Sequence, residues 1–329
     1  MKYVMGIDQG SSKTYAIVGD DSGNVLGFGK SHGACHSNTG MKFAMEAVKE
    51  AVEEALKQAG LELSEIDTLA AGMTGMDWEF EEKLLKEELE QLTRIENILV
   101  VNDCIIAMRA GSSHPYGAVL CAGSGLNCAV RDRNGKEFVY GFYIEEEYQG
   151  GAALGKACVK AVTDSYVGMG EKTMLTKMLL KRFDCKDVDE LLFKKVTEKI
   201  ALKDYLSLPI VLEEAARLGD KVSKNIWYRF GRQFGRYVIA AMKRMDMLGY
   251  EAEVVLSGSI FKCREPELRQ GVEDELRKDA PLAKIVDAVY EPIVGAYLMA
   301  IERSGNEGGP VLQNLEKYSR SFQLKRVAY

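Results

Sequence analysis

The chain is short of several residues and patterns, and each shortage removes a class of protein. It has 3 histidines, 2 tryptophans and 6 prolines in 329 residues. Its 7 cysteines include no C-x-x-C pair, so zinc-finger and iron–sulfur spacings are absent. Their number is odd and most lie in apolar runs, which fits free buried thiols in a reducing compartment. No apolar run approaches the roughly 18 residues of a membrane span, and the opening MKYVMGID has no signal-peptide core. The expected location is therefore the cytoplasm, away from membranes. Positive charge is also in deficit: 43 Lys and Arg against 49 Asp and Glu give a net charge of −6. Without a basic stripe, nucleic acid is a poor partner. The P-loop string G-x-x-x-x-G-K-[S/T] and the G-x-G-x-x-G fingerprint are both missing.

What remains is an ordinary globular composition, 47% hydrophobic and 28% charged. The length suggests about two domains. A chain of this size buries about three quarters of its surface and needs no disulfide or structural metal to fold. Glycine alone is in excess, with 32 residues against an average share of about 7%.

Part of that excess follows a repeat. Tyr3 to Ile7 reads as a strand ending in Asp8-Gln9-Gly10-Ser11-Ser12, followed by a strand Tyr15 to Val18, a turn Asp20-Asp21-Ser22-Gly23 and a third strand from Val25. The same grammar returns roughly 110 residues later, with Gly117 to Cys121, Ala122-Gly123-Ser124-Gly125, a strand through Cys128, and the turn Asp132-Arg133-Asn134-Gly135. Asp20 matches Asp132 and Gly23 matches Gly135. This is an internal duplication of an α/β unit. It divides the chain into 1–112, 113–303 and a polar tail 304–329. Helices are expected over Met41 to Ala59, Glu79 to Leu92, Gly151 to Val167, Leu212 to Met247 and Pro292 to Ile301. Strands alternating with helices predict mainly parallel sheets and a cleft between the two units.

Several residues at strand ends could carry chemistry. Asp8 ends a buried strand, where a carboxylate can hold Mg²⁺ through water, and the glycine and serines beside it let backbone N–H groups approach phosphate oxygens. The plainer reading is a hairpin turn. Asn102-Asp103 closes the strand Ile98 to Val101; it reads either as a helix N-cap or as a general base for a substrate hydroxyl. Gly123-Ser124-Gly125 and Ser257-Gly258-Ser259 are further close-approach turns. His36 reads as polar surface beside Ser37-Asn38, or as a substrate contact. Arg229, Arg232 and Arg236 share a helix face and read as a solvated stripe sooner than as a phosphate clamp.

Taken in order, Gly6 to Thr14, Ser37-Asn38, Asn102-Asp103, Ala122 to Asn127 and Leu256 to Ser259 resemble the actin, hexokinase and heat-shock-chaperone ATPase superfamily. Within it they are most similar to the branch of N-acetylglucosamine kinases and BadF/BadG/BcrA/BcrD ATPases. The resemblance covers about residues 1 to 301. It implies an α/β fold of duplicated ribonuclease H-like (actin-like ATPase) domains with an interdomain cleft. It also implies a kinase that uses ATP and Mg²⁺ to phosphorylate an amino sugar such as N-acetylglucosamine, glucosamine or N-acetylmuramic acid. By position, Asp8 would hold the metal, and Gly10, Ser11, Ser12, Lys13 and Thr14 would line the β- and γ-phosphates. Gly123, Ser124 and Gly125 would form the second phosphate loop, Gly258 and Ser259 the adenosine loop, Asp103 the base, and Asn38 and Asn127 sugar contacts. A homodimer is the expected assembly. Two other readings are a BadF/BadG-type ATPase that activates a partner such as a 2-hydroxyacyl-CoA dehydratase, and a sugar-binding sensor. The cysteines lack the context of a cluster-bridging activator. One stretch departs from the branch. Its sugar kinases usually carry Gly-Asp-Glu-Gly-Ser, whereas here Tyr148-Gln149 stand at the Asp-Glu pair, preceded by Glu145-Glu146-Glu147. Those glutamates read as a solvated edge or as an acidic wall of the sugar pocket.

Overall fold

In the computed structural model, which describes residues 1–306, 311–319 and 321–325, the duplication is visible down to single hydrogen bonds. β1 (Tyr3–Gln9), β2 (Lys13–Asp20) and β3 (Val25–His32) form an antiparallel meander. The helices α1 (His36–Thr39) and α2 (Met41–Ala59) lead to β4 (Ile66–Met73), α3 (Glu79–Thr93), β5 (Asn97–Asn102) and α4 (Asp103–Gly111). The second meander is β6 (Gly117–Ala122), β7 (Leu126–Arg131) and β8 (Glu137–Val139). A helical block follows: α5 (Gly150–Tyr166), α6 (Leu175–Arg182), α7 (Val188–Val196), α8 (Leu202–Arg217) and α9 (Lys221–Arg244). The chain then runs through β9 (Glu253–Ser257), α10 (Pro266–Asp279), β10 (Lys284–Asp287), α11 (Pro292–Arg303) and α12 (Val311–Tyr318).

The two sheets have the same construction. The first runs β3-β2-β1-β4-β5 and the second β10-β9-β6-β7-β8, each a meander extended by two parallel strands. The Asp20 carboxylate accepts from the backbone N–H of Ser22 and Asn24, and the Asp132 carboxylate accepts from Asn134 and Lys136 in the same pattern. Gly23 (φ +90°) and Gly135 (φ +82°) close the two turns in a conformation that other residues rarely adopt.

α4 and α11 fill the space between the sheets. Their apolar residues Ile105, Ile106, Val294 and Met299 share one core with Val4 and Ile17 of the first sheet and Val119 and Val255 of the second. α11 lies so close to β1 that a Cβ added at Gly6 would stand 2.5 Å from the Tyr297 nitrogen. Because β1, β4 and β5 are parallel, their carboxyl ends bring Asp8, Thr74 and Asp103 to one edge of the first sheet.

The sheets are mixed instead of mainly parallel, because each meander adds two antiparallel pairings to two parallel ones, and two further expectations change. The stretch Leu212 to Met247 is not one helix: Gly219 (φ +93°) ends α8, and the Asp220 carboxylate caps α9 by accepting from the Ser223 N–H at 3.0 Å. The polar tail holds a helix as well. Val311, Leu315 and Tyr318 recur at helical spacing. Leu315 is fully buried, and Asn314 Nδ2 donates to the Ser22 carbonyl at 2.8 Å, pinning α12 to the first meander. Residues 307–310, 320 and 326–329 of the tail lie outside the described residues.

Candidate active site

The glycine loops of the second unit meet at one cavity. Gly123, Ser124 and Ser259 line a space of about 770 Å³ whose apolar wall includes Leu206, Ile210 and Trp227. Gly258 (φ +103°) brings its turn against β6; a Cβ there would sit 2.1 Å from the Ala122 carbonyl oxygen. The other loop glycines differ. A Cβ at Gly10, Gly123 or Gly125 would find its nearest protein atom at 3.4, 3.7 or 3.8 Å. Protein packing therefore does not demand glycine there, and the unfilled space suits an incoming phosphate. α5 begins directly behind this loop. The Gly151 N–H donates to the Gly123 carbonyl at 2.8 Å, so the positive end of a 17-residue helix faces the Gly123–Gly125 turn.

The first unit contributes the opposite turn. Asp8 is 8% exposed near the carboxyl end of β1. Gly10 N–H donates to the Lys13 carbonyl at 2.9 Å, which closes the hairpin and leaves Ser11 and Ser12 exposed at its tip. Lys13 leans away: its ammonium lies over the Tyr15 ring, 4.5 Å from the centroid, and 4.0 Å from Glu291. Thr14 is buried, and its hydroxyl donates to the His32 carbonyl at 2.8 Å. These two side chains are engaged within the fold, so the groups of this turn left at its tip are backbone N–H groups and the two serines. Among the described residues no group of three or more His, Cys, Asp or Glu forms a metal cage. Magnesium does not require one, because it keeps several waters and binds through one or two carboxylates and the substrate phosphates.

Asp103 is freed from capping by its neighbour. Asn102 is the N-cap of α4: its Oδ1 accepts from the Cys104 N–H at 2.9 Å, while its Nδ2 donates to the Met76 carbonyl and to Asp77 Oδ1. Asp103 is the first helical residue, and its carboxyl accepts hydrogen bonds from Thr74 and Cys104. Burial pushes that carboxyl up to about 6, against hydrogen bonds from Thr74 and Cys104, and the nearby Asp77 charge adds to the rise. Burial and the Glu81 charge raise Asp77 as well. A carboxylate poised near neutrality is suited to general-base work.

The sequence pattern did not single out the segment Thr74–Glu81, although it follows the end of β4. Glu81 is buried and accepts from the Asp77 and Trp78 N–H groups at 2.8 and 2.9 Å. Its other oxygen lies 3.2 Å from His36 Nε2. The His36 side chain is only 6% exposed, not polar surface, because this carboxylate draws it under the loop. The pair ties the α1 segment to the loop that holds Asn102 and, through Asp77, borders Asp103.

A model of the BadF/BadG/BcrA/BcrD ATPase family matches residues 5–300. The chain belongs to this family. It is 27% identical to the N-acetylmuramic acid/N-acetylglucosamine kinase of Clostridium acetobutylicum over 308 residues, 91% of this chain and 98% of that protein. It is 24% identical to the N-acetyl-D-glucosamine kinase of Dictyostelium discoideum over 310 residues, 90% of this chain and 97% of that protein. In fold it resembles a ROK family glucokinase from Streptomyces griseus solved in complex with glucose and AMPPNP. That likeness has a TM-score of 0.56 at 19% identity and covers 92% of this chain and 100% of that one.

The remaining positions lie on α1 and β7 and at the turn before α5. Asn38 is exposed on α1. Asn127, on β7, accepts from the Cys128 N–H at 2.8 Å and lies beside Gly141. The Tyr148-Gln149 departure has structural work: Gln149 Oε1 accepts from the Leu126 N–H at 3.1 Å, bracing the phosphate turn, and the Tyr148 ring packs 5.0 Å from Phe230. Glu145 accepts from the Tyr237 hydroxyl, and Glu146 pairs with Lys156 at 2.9 Å. Across the cleft, Trp78 of the first unit stacks on Phe142 of the second with ring centroids 5.2 Å apart. No helix among the described residues is long and apolar enough to cross a membrane.

Proposed function

We propose that this chain is an ATP-dependent kinase that transfers the γ-phosphoryl group to a hydroxyl of an amino sugar, N-acetylglucosamine or a relative such as glucosamine or N-acetylmuramic acid. The observation that carries this reading is Asp103, relieved of capping by Asn102 and raised to about 6, at a sheet edge shared with Asp8. Phosphoryl transfer asks for positioning, charge neutralisation and a base more than for covalent chemistry. Asp103 takes the proton of the acceptor hydroxyl. Backbone N–H groups of the Gly10–Ser12 and Gly123–Gly125 turns hold the phosphates, and the cavity against Trp227 and Leu206 takes the adenosine. Asp8 is the carboxylate placed to hold Mg²⁺, which supplies neutralisation of phosphate charge when bound. Asn38 and Asn127 contact the sugar. The names of the two kinase relatives support the acceptor class.

The reading is tested by ADP release with N-acetylglucosamine, glucosamine, N-acetylmuramic acid, N-acetylmannosamine and glucose. Turnover that depends on one or more of the amino sugars is expected; ADP release unaffected by every sugar would overturn it. A second expectation concerns pH. Only ionised Asp103 accepts a proton, so kcat/KM should fall about tenfold per unit below about pH 6. Asp77→Asn removes the neighbouring negative charge that opposes ionisation, so the acid limb should move to lower pH. An unmoved limb in the pH–rate profile would separate Asp77 from the base.

A further inference from the structure

A second cavity, of about 660 Å³, shares no lining residue with the one beside Gly123 and Trp227. It lies between the turn Glu146–Tyr148, α5, α7, α8 and α9. Four cations line it, Lys156, Lys160, Lys195 and Arg229, against the two carboxylates Glu146 and Glu147. A local positive excess in a chain of net charge −6 runs against the average. Two of the cations are already matched: Lys156 binds Glu146 at 2.9 Å, and Lys160 binds Asp164 at 2.6 Å.

Lys195 and Arg229 have no carboxylate partner among the described residues. The contrast along α9 is informative. Arg232 and Arg236, expected on the same solvated stripe, both reach Glu275, whereas Arg229 turns to the cavity. The wall beside it is aromatic. Phe230 is buried, Tyr148 packs edge-on against it, and the Tyr148 and Tyr205 hydroxyls have no hydrogen-bond partner among the described residues.

We propose that this cavity binds an organic phosphate monoester, with the phosphoryl group on Arg229 and Lys195 and the carbon body against Tyr148 and Phe230. Two spare cations match a dianion, and the guanidinium fork takes phosphate oxygens in pairs. The two hydroxyls supply donors for the remaining oxygens. An open cleft of this size, with one apolar wall and a few convergent polar groups, accommodates a body beyond the phosphate itself.

The test uses the full chain with its nucleotide cavity filled by a non-hydrolysable ATP analogue and Mg²⁺, titrated calorimetrically with phenyl phosphate. This probe is no product of a sugar kinase, so the acceptor site does not compete for it. Saturable binding at one site is expected, tighter than that of inorganic phosphate, with none for phenol. Arg229→Glu with Lys195→Glu should weaken it at least about tenfold while analogue affinity and thermal midpoint stay unchanged, since both side chains are exposed. Absence of saturable binding up to about 10 mM, or affinity in the variant within about twofold of the parent, would overturn the proposal. Because the readout is binding, a failure to phosphorylate any sugar would leave this result standing on its own.

Discussion

Asp103→Asn should reduce sugar-dependent turnover about a thousandfold, within the range removed by losing a positioned general base, while nucleotide affinity stays within about twofold of the parent. The two effects part because no residue of α4 lines the cavity proposed to take the nucleotide. The same substitution should also stabilise the fold at neutral pH. Asp103 has its carboxyl raised from 3.8 to about 6 in the folded chain, chiefly by burial. A raised group favours the native state when protonated, so that contribution is full below about pH 4 and is lost as pH rises through about 6. Above this window the native protein carries a buried charge, and Asn removes it at nearly constant shape. The gain is on the order of 2 kcal/mol, read as a higher denaturant midpoint at pH 7.5 and no gain at pH 4. A variant with full turnover would return Asp103 to the role of a helix-start residue; equal stability at pH 7.5 would mean that the carboxylate is solvated.

Gly295→Ala is expected to be strongly damaging, with the shortest backbone clash of any described glycine. At the crossing of α11 and α4, a Cβ on residue 295 would lie 1.8 Å from the Ile106 carbonyl oxygen and 2.8 Å from the Ala110 nitrogen. Both obstacles are backbone, so no rotamer change relieves them, and one helix must move. Overpacking of this kind costs typically 1–3 kcal/mol and occasionally more. With backbone on both sides we expect about 3 kcal/mol or more, a fall in thermal midpoint of roughly 5 °C. Because α4 starts with Asp103, turnover should fall together with stability. Gly249→Ala is the control: no atom lies within 4 Å of its added Cβ, and its effect should stay within about 0.5 kcal/mol. Equal midpoints for the two variants would mean that α4 and α11 separate without cost.

Much of the site could be read from single segments. The hairpin turns at Asp20 and Asp132 are made by carboxylates bonding to N–H groups two and four positions ahead, so five consecutive residues contain the information. The strand-end turns at Gly10, Gly123 and Gly258 are local in the same sense. Asn102-Asp103 admits two readings in sequence because both residue types cap helices; in the structure the Cys104 N–H donates to Asn102 Oδ1 at 2.9 Å, a contact that the sequence does not specify.

The amino-acid sequence by itself therefore determined the duplicated meanders, the glycine turns at strand ends, and the placing of Asp103 at the end of a strand. Each depends on neighbours in the chain and on periodicity. Only the tertiary structure decided what surrounds them. His36 is buried because Glu81, from another helix, reaches it, and Trp78 meets Phe142 across two units. Arg229 and Arg232 differ in fate though they sit one turn apart, because Glu275 of α10 stands opposite only one of them. The glycine excess divides in the same way. Gly10, Gly123 and Gly125 leave room for a ligand, whereas Gly6, Gly29 and Gly295 are small because another element's backbone lies where a side chain would be. Contacts between segments tens to hundreds of residues apart carry no local signature, so the packing of sheets and helices, not the order of residues, assigns these roles.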